Sequence, residues 1–343
     1  VAAYPDYLFT SLWSIATNGT ITPKAPSDWM NGDLGQRATS LLNGWVDYYR
    51  YTGDAAAVAH LTYLAEFLLD HCVTPPAHPW PGLFISVPVK DKPYGKCDPR
   101  GMIQLDICAS AGQGLLRAYQ LTGRPRWLEA AQHWGDLLAA KCSLAPDADP
   151  WGRYANPEDA SWKDNTQTGG VVMILGFLDD LIRLGHTGQD QRLVAARDAG
   201  RRYLRDKPLP AWAVEDTWGR YFWDWPNPTQ NCLTTPDAAF YLLNHGSLFP
   251  NWRNDTRNLL TLFLNRTGVA PESRGDVYSG AWAFPESNAC CGRSLWYSPF
   301  LLAPALAQYA VQTGDEWCRE LAYRMLVLQT YDAHETGVTE ANI

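Results

Sequence analysis

The chain has 343 residues, 46% of them hydrophobic and 19% charged, which is enough to bury a large core. A net charge of −8 and an isoelectric point near 5.4 exclude a broadly basic nucleic-acid surface. No apolar run reaches the roughly 18 residues that a membrane-crossing helix needs.

Along the chain, a helical stretch that ends in an aromatic residue and a Thr-Gly stop, followed by a second helical stretch, occurs again and again. The stops are Tyr51-Thr52-Gly53-Asp54, Leu121-Thr122-Gly123, His186-Thr187-Gly188 and Gln312-Thr313-Gly314-Asp315, with a degenerate copy at Asn244-His245-Gly246. Glycine just past a helix end is the usual left-handed cap. The first helices of these pairs are predicted near 34–50, 102–120, 168–184, 232–244 and 292–311. The second helices are predicted near 55–71, 125–141, 190–205, 252–265 and 315–331. In the second pair Trp127, Leu128, Ala131, Trp134, Leu137 and Leu138 share one face of a 3.6-residue period, as a core-facing helix requires.

Between the pairs run long connections near 72–101, 142–167, 206–231 and 266–291, rich in Trp, Pro, Gly, Asp and Arg. Long connections of this kind in a compact chain usually carry function. All open at the starting end of the first helices. The connection 72–101 contains an alternating run, Leu83–Val89, which by itself does not decide whether a small hairpin narrows the cleft there. The pattern resembles the all-α (α/α)6 toroid, the barrel of many glycoside hydrolases, epimerases and polysaccharide lyases. Residues 1–343 are read as one such domain, with five complete hairpins and a sixth incomplete. The ring is expected to be closed either by the segment Tyr4–Ala16 or by chain beyond Ile343. An open helical solenoid used for binding is the alternative.

The chemistry is expected in the connections. Paired carboxylates across a scissile bond serve acid–base cleavage of glycosides, and the connections supply Asp33, Asp164, Glu215 and Asp216. Asp33 and Asp164 stand before helices and have the alternative role of N-caps. The 16 tryptophans offer both core packing and, in loops, apolar faces for sugar rings. Eight cysteines are too sparse for a disulfide scaffold. Cys72, Cys97 and Cys142 are nonetheless candidates for pairing in an oxidising compartment. With the sequons at Asn18, Asn254 and Asn265, they lean the expected location towards secreted or periplasmic. Cys290-Cys291 are adjacent. Together with Cys232 they form a set of thiols suited to a soft metal, while a disulfide or an inert buried role remain the other readings.

The stretch Asp216-Thr217-Trp218-Gly219-Arg220-Tyr221-Phe222, then Trp225-Pro226-Asn227, then Cys232, with Asn288-Ala289-Cys290-Cys291 following, is similar to a signature of the zinc- and cysteine-dependent β-L-arabinofuranosidase family. The resemblance covers about residues 214–300. It implies that Cys290 attacks the anomeric carbon and that Asp216, with Glu215 as fallback, is the acid and base. It also implies zinc held by Cys232, Cys290 and Cys291. The chain departs from the family at Gln230, where the family has a ligating Glu, and at Gly292, where it has Pro. Glu286 is the replacement ligand. Trp218, Trp223, Trp225 and Trp282 would wall the sugar, with Arg220, Tyr221, Arg293, His334 and Asp164 as further contacts. The expected partner is thus an oligo- or polysaccharide of plant or algal type. Two other chemistries remain open. One is a hydrolase that pairs Asp216 with Asp164 or Asp33. The other is a lyase with Tyr154, Tyr221 or His334 as base and Arg153, Arg220 or Arg293 neutralising a uronate.

Overall fold

The computed structural model describes residues 13–18, 21–24, 34–86, 88, 103–152, 154–155, 162–164, 170–213, 234–266, 268–269, 282–283 and 302–331. Ten α-helices occur among them, and the strands, of which β1 (Trp13–Ile15) and β2 (Ile21–Pro23) come first, are two or three residues long. The helices are α1 (Leu34–Thr52), α2 (Ala56–His71), α3 (Leu105–Thr122), α4 (Pro125–Lys141), α5 (Val171–Arg183), α6 (Arg192–Asp206), α7 (Thr234–Asn244), α8 (Trp252–Arg266), α9 (Leu302–Thr313) and α10 (Glu316–Tyr331). The protein is therefore all-α and built of helical hairpins, with boundaries close to those predicted. Residues 292–301, expected to open the last first helix, lie outside the described residues. Contacts divide the chain into two compact units, residues 4–203 and residues 204–343.

The Thr-Gly stop has a local cause that repeats. Thr52, Thr122 and Thr313 donate their hydroxyls to the carbonyls of Tyr48, Ala118 and Tyr309, four residues back, at 2.8, 2.8 and 2.7 Å. Gly53, Gly123 and Gly314 then turn left-handed, with φ of 69°, 70° and 77°. Their N–H groups close the helix on Tyr49, Tyr119 and Ala310. Where Asp follows, its carboxylate accepts from the start of the next helix: Asp54 from Ala56 N–H (2.9 Å) and Asp315 from Cys318 N–H (2.8 Å).

Two predicted stops differ. Helix α5 ends three residues before the expected Thr-Gly, at Gly185 (φ 88°). The N–H groups of Gly185 and His186 reach back to the carbonyls of Ile182 and Leu181, the paired bonds of a Schellman ending. Gly246 opens a short 3-10 turn, Gly246–Leu248, instead of capping α7. It is small because a Cβ there would lie 3.0 Å from Nε1 of Trp252.

In the unit of residues 4–203 the first helices α1, α3 and α5 pack side by side, with α2 and α4 behind them. The contacts advance in step along the three. Asn43 donates to the Ser110 carbonyl and Arg117 pairs with Asp47. Further along the layer, Gly112 sits under the Phe177 ring and Gln113 donates to Asp180 (3.1 Å). These pairings make the three helices parallel, so their starts share one end and the Thr-Gly turns share the other. Behind them α4 is fixed to α2 by Trp127, whose Nε1 donates to Glu66 (2.8 Å), and by Arg126, which pairs with Glu66 and Asp70. Asp179 on α5 takes Arg201 from α6 (2.8 Å).

In the unit of residues 204–343, α7 pairs with α8 and α9 with α10, and α9 also packs on α7 and α8. Gln308 of α9 donates to Asn244 of α7 (2.9 Å). Arg257 of α8 pairs with Asp315 (3.0 Å) and lies 4.4 Å over the Trp317 ring.

Candidate functional site

The end where α1, α3 and α5 start is built from two small pieces of sheet. The first is the segment 72–86. Val73 bridges Phe84, the Thr74 N–H donates to the Leu83 carbonyl (2.8 Å), and the Ile85 N–H donates to the Cys72 carbonyl (2.9 Å). A small hairpin therefore forms here, a point the sequence left open, and Leu83, Phe84, Ile85 and Ser86 are all buried in it. Its apolar side chains join the core, and its tip is tied to α4. Trp134 donates to the Gly82 carbonyl (2.8 Å), His133 meets the Pro81 carbonyl (2.7 Å), and the Lys141 ammonium stands over the Trp80 ring. Its far arm seats on α1, where the Gly35 N–H donates to Ser86 (3.0 Å).

The second piece is a three-stranded antiparallel sheet in front of α3, of β3 (Ile103–Gln104), β4 (Tyr154–Ala155) and β5 (Trp162–Asp164). Its register puts Gln104 opposite Tyr154 and Tyr154 opposite Asp164, with an irregularity between Tyr154 and Ala155. The two hairpin connections that precede α3 and α5 are thus joined at the start of α3.

Of the predicted site residues, Asp164 is brought into this register. It is no N-cap: Gly170, six positions further along the chain, holds that position on α5. Trp282 stands on β7 (Trp282–Ala283), opposite Val269 of β6 (Gly268–Val269). Glu215, Asp216, Trp218, Arg220, Tyr221, Trp223, Trp225, Cys232, Glu286, Cys290, Cys291, Arg293 and His334 lie outside the described residues. Gln104 escaped the sequence reading, which began a helix at 102. A two-residue strand leaves no periodic trace, and the β-favouring Ile103 was the one available signal.

Of the pairings open to Cys72, Cys97 and Cys142, that of Cys72 with Cys142 does not form. Both are free, buried thiols, as are Cys108 and Cys318, and Cys97 lies outside the described residues. Cys72 caps α2 inside the core, while the Cys142 thiol points at the Ala196 carbonyl. Burial raises the thiol of Cys72 well above its ordinary range. Burial also pushes Cys142 up to about 12, against the opposing pull of Arg192 and Arg202, and Cys318 up to about 11. Such thiols are poor nucleophiles and poor metal ligands. Among the described residues no three His, Cys, Asp or Glu side chains gather as a metal site.

A reactivity test follows. At pH 8 the folded protein is expected to leave these four cysteines unlabelled by iodoacetamide, as mapped by peptide mass spectrometry, while urea exposes all four. The sign in pH is also fixed. A thiol kept neutral by folding ionises first in the unfolded chain, so stability is full below the ordinary thiol pKa near 9. It is then lost as pH rises towards the folded values of Cys318 and Cys142.

Neither a protein-family model nor a curated relative matches this sequence. Solved structures do match its fold. A cellobiose 2-epimerase from Spirochaeta thermophila aligns over 89% of this chain and 76% of its own, with a TM-score of 0.62 at 12% identity. A D-mannose isomerase aligns over 89% and 77%, with a TM-score of 0.61 at 12% identity. An unsaturated glucuronyl hydrolase specific for heparin aligns over 94% and 78%, with a TM-score of 0.52 at 13% identity. The chain thus has the helical-hairpin fold of these (α/α) toroid proteins.

Proposed function

We propose that this protein is an enzyme acting on a saccharide at the end where its first helices start. The observation that carries the reading is the parallel packing of α1, α3 and α5. It gathers their starts, the 72–86 hairpin and the β3–β4–β5 sheet at one end. Similarity of fold to an epimerase, an isomerase and a glucuronyl hydrolase, all named for work on sugars, supports the same class.

Within that class we infer a glycoside hydrolase. The Asp216 carboxyl gives its proton to the leaving oxygen as the Cys290 sulfur bonds to the anomeric carbon. A water deprotonated by Asp216 then breaks that bond. Zinc, if bound, would be held by Cys232, Cys290 and Cys291 with Glu286, and would keep the Cys290 thiol ionised.

The test is a zinc-to-protein ratio measured by elemental analysis, run beside assays on L-arabinofuranosides and uronic-acid glycans. A ratio near one, with turnover lost in Cys290→Ala and in Asp216→Asn, supports the cysteine mechanism. Turnover that survives Cys290→Ala but not Asp216→Asn or Asp164→Asn assigns two carboxylates. An ultraviolet-absorbing unsaturated product assigns a lyase. The absence of turnover on any saccharide defeats the proposal.

A further inference from the structure

We infer that Gln104 is a hydroxyl-recognising residue of the saccharide site, one that binds sugar without taking part in bond cleavage. The inference rests on the saccharide reading above and adds to it a residue that no motif singles out.

Gln104 holds the N-cap position of α3 with an extended backbone (φ −107°, ψ 111°), yet its side chain makes no capping bond. Glutamine is not a residue that capping selects. It is 7% exposed, and its carbonyl oxygen Oε1 is covered and has no hydrogen-bond partner among the described residues. Buried amides are almost always bonded, and an orphan one is a standing cost that a hydrophobic residue of the same size would remove. An apolar side chain would therefore serve packing better, so packing does not explain a glutamine here.

The surroundings say what the amide is for. Gln104 lies opposite Tyr154, and Tyr154 opposite Asp164, where the two connections meet. The ladder is irregular beside Tyr154, and such irregularities are frequent next to active sites. A primary amide carries one acceptor and two donors on a rotor whose ends exchange by a half-turn. That matches a sugar hydroxyl, which both donates and accepts. The bland occupant of the orphan oxygen is a buried water, and it predicts a different outcome.

The experiment is a thermal-shift titration of the wild-type protein and Gln104→Leu with cellobiose, L-arabinose and D-glucuronic acid. Gln104→Met serves as a second apolar variant. The expected result has two parts. The unliganded melting temperature of the variants is kept or raised, because the orphan amide is gone. The concentration of the responding sugar needed for a given shift rises by about tenfold or more, the usual penalty for losing a hydrogen bond built for a substrate hydroxyl. An equal sugar response in variant and wild type overturns the inference and leaves the saccharide reading intact, as a water-filled site would. A fall of the unliganded melting temperature in both variants, or their failure to fold, makes the amide structural and also overturns it. If no sugar shifts the wild type, the saccharide reading fails and the inference falls with it.

Discussion

Gly35→Ala is expected to destabilise the protein by about 3 kcal/mol, the upper end of what overpacking costs. Intrinsic helix propensity argues the other way, since Ala is better than Gly inside a helix by about 1 kcal/mol. Geometry decides. A Cβ on Gly35 would lie 2.3 Å from the Ile85 carbonyl oxygen and 2.9 Å from Cα and O of Ser86. Those are backbone atoms and cannot swing aside as a side chain would. The 72–86 segment would have to lift from the start of α1, breaking the Gly35–Ser86 hydrogen bond. Gly44, on the same helix, has nothing within 4 Å of the corresponding position. Gly44→Ala should therefore follow propensity and stabilise by up to about 1 kcal/mol. Urea midpoints of the two variants provide the check. If both move in the same direction and by similar amounts, Gly35 is not the seat of the hairpin.

The helices were legible because each is defined by signals within a few residues: an apolar stripe, a threonine that bonds back four residues, a glycine that turns left. The misreadings share a cause. Gly188 follows a Thr, yet Gly185 terminates α5: both glycines take positive φ, and only the backbone bonds to Leu181 and Ile182 decide which of them ends the helix. Gly246 is glycine because of Trp252, a tertiary neighbour. The run Leu83–Ser86 left a hairpin undecided, and the structure forms one. Its alternation did not say that Leu83, Phe84, Ile85 and Ser86 would all be buried. The sheet that lines up Gln104, Tyr154 and Asp164 joins residues 50 and more apart through strands of two and three residues, too short for any period to appear. Candidate chemistry in the connections was legible as residue type alone, since a loop carboxylate acquires its partners only from the fold.

Trp134→Ala is expected to cost about 3–5 kcal/mol, as large-to-small changes of buried aromatics do. Trp134 is 1% exposed, packs its ring 5.8 Å from that of Phe84, and bonds the Gly82 carbonyl. Trp134→Phe keeps most of the packing and removes the bond to the part-buried Gly82 carbonyl, so about 1 kcal/mol is expected. Stability alone would not show that the residue serves the functional end, and Trp127 supplies the comparison. It is equally buried in the same helix, but bonds Glu66 on α2, in the first turn of α4 near the Thr-Gly turns. Trp127→Phe should cost a similar amount. Amide hydrogen exchange separates the two. Trp134→Phe should raise exchange at Thr74, Leu83 and Ile85, whose N–H groups close the hairpin. Trp127→Phe should leave those amides as protected as in the wild type. The same contrast should appear in saccharide turnover, with Trp134→Phe lowering it more than an equally destabilised Trp127→Phe. If hairpin exchange and turnover track stability alone in both variants, Trp134 is a core residue like any other and the outer helix does not position the site.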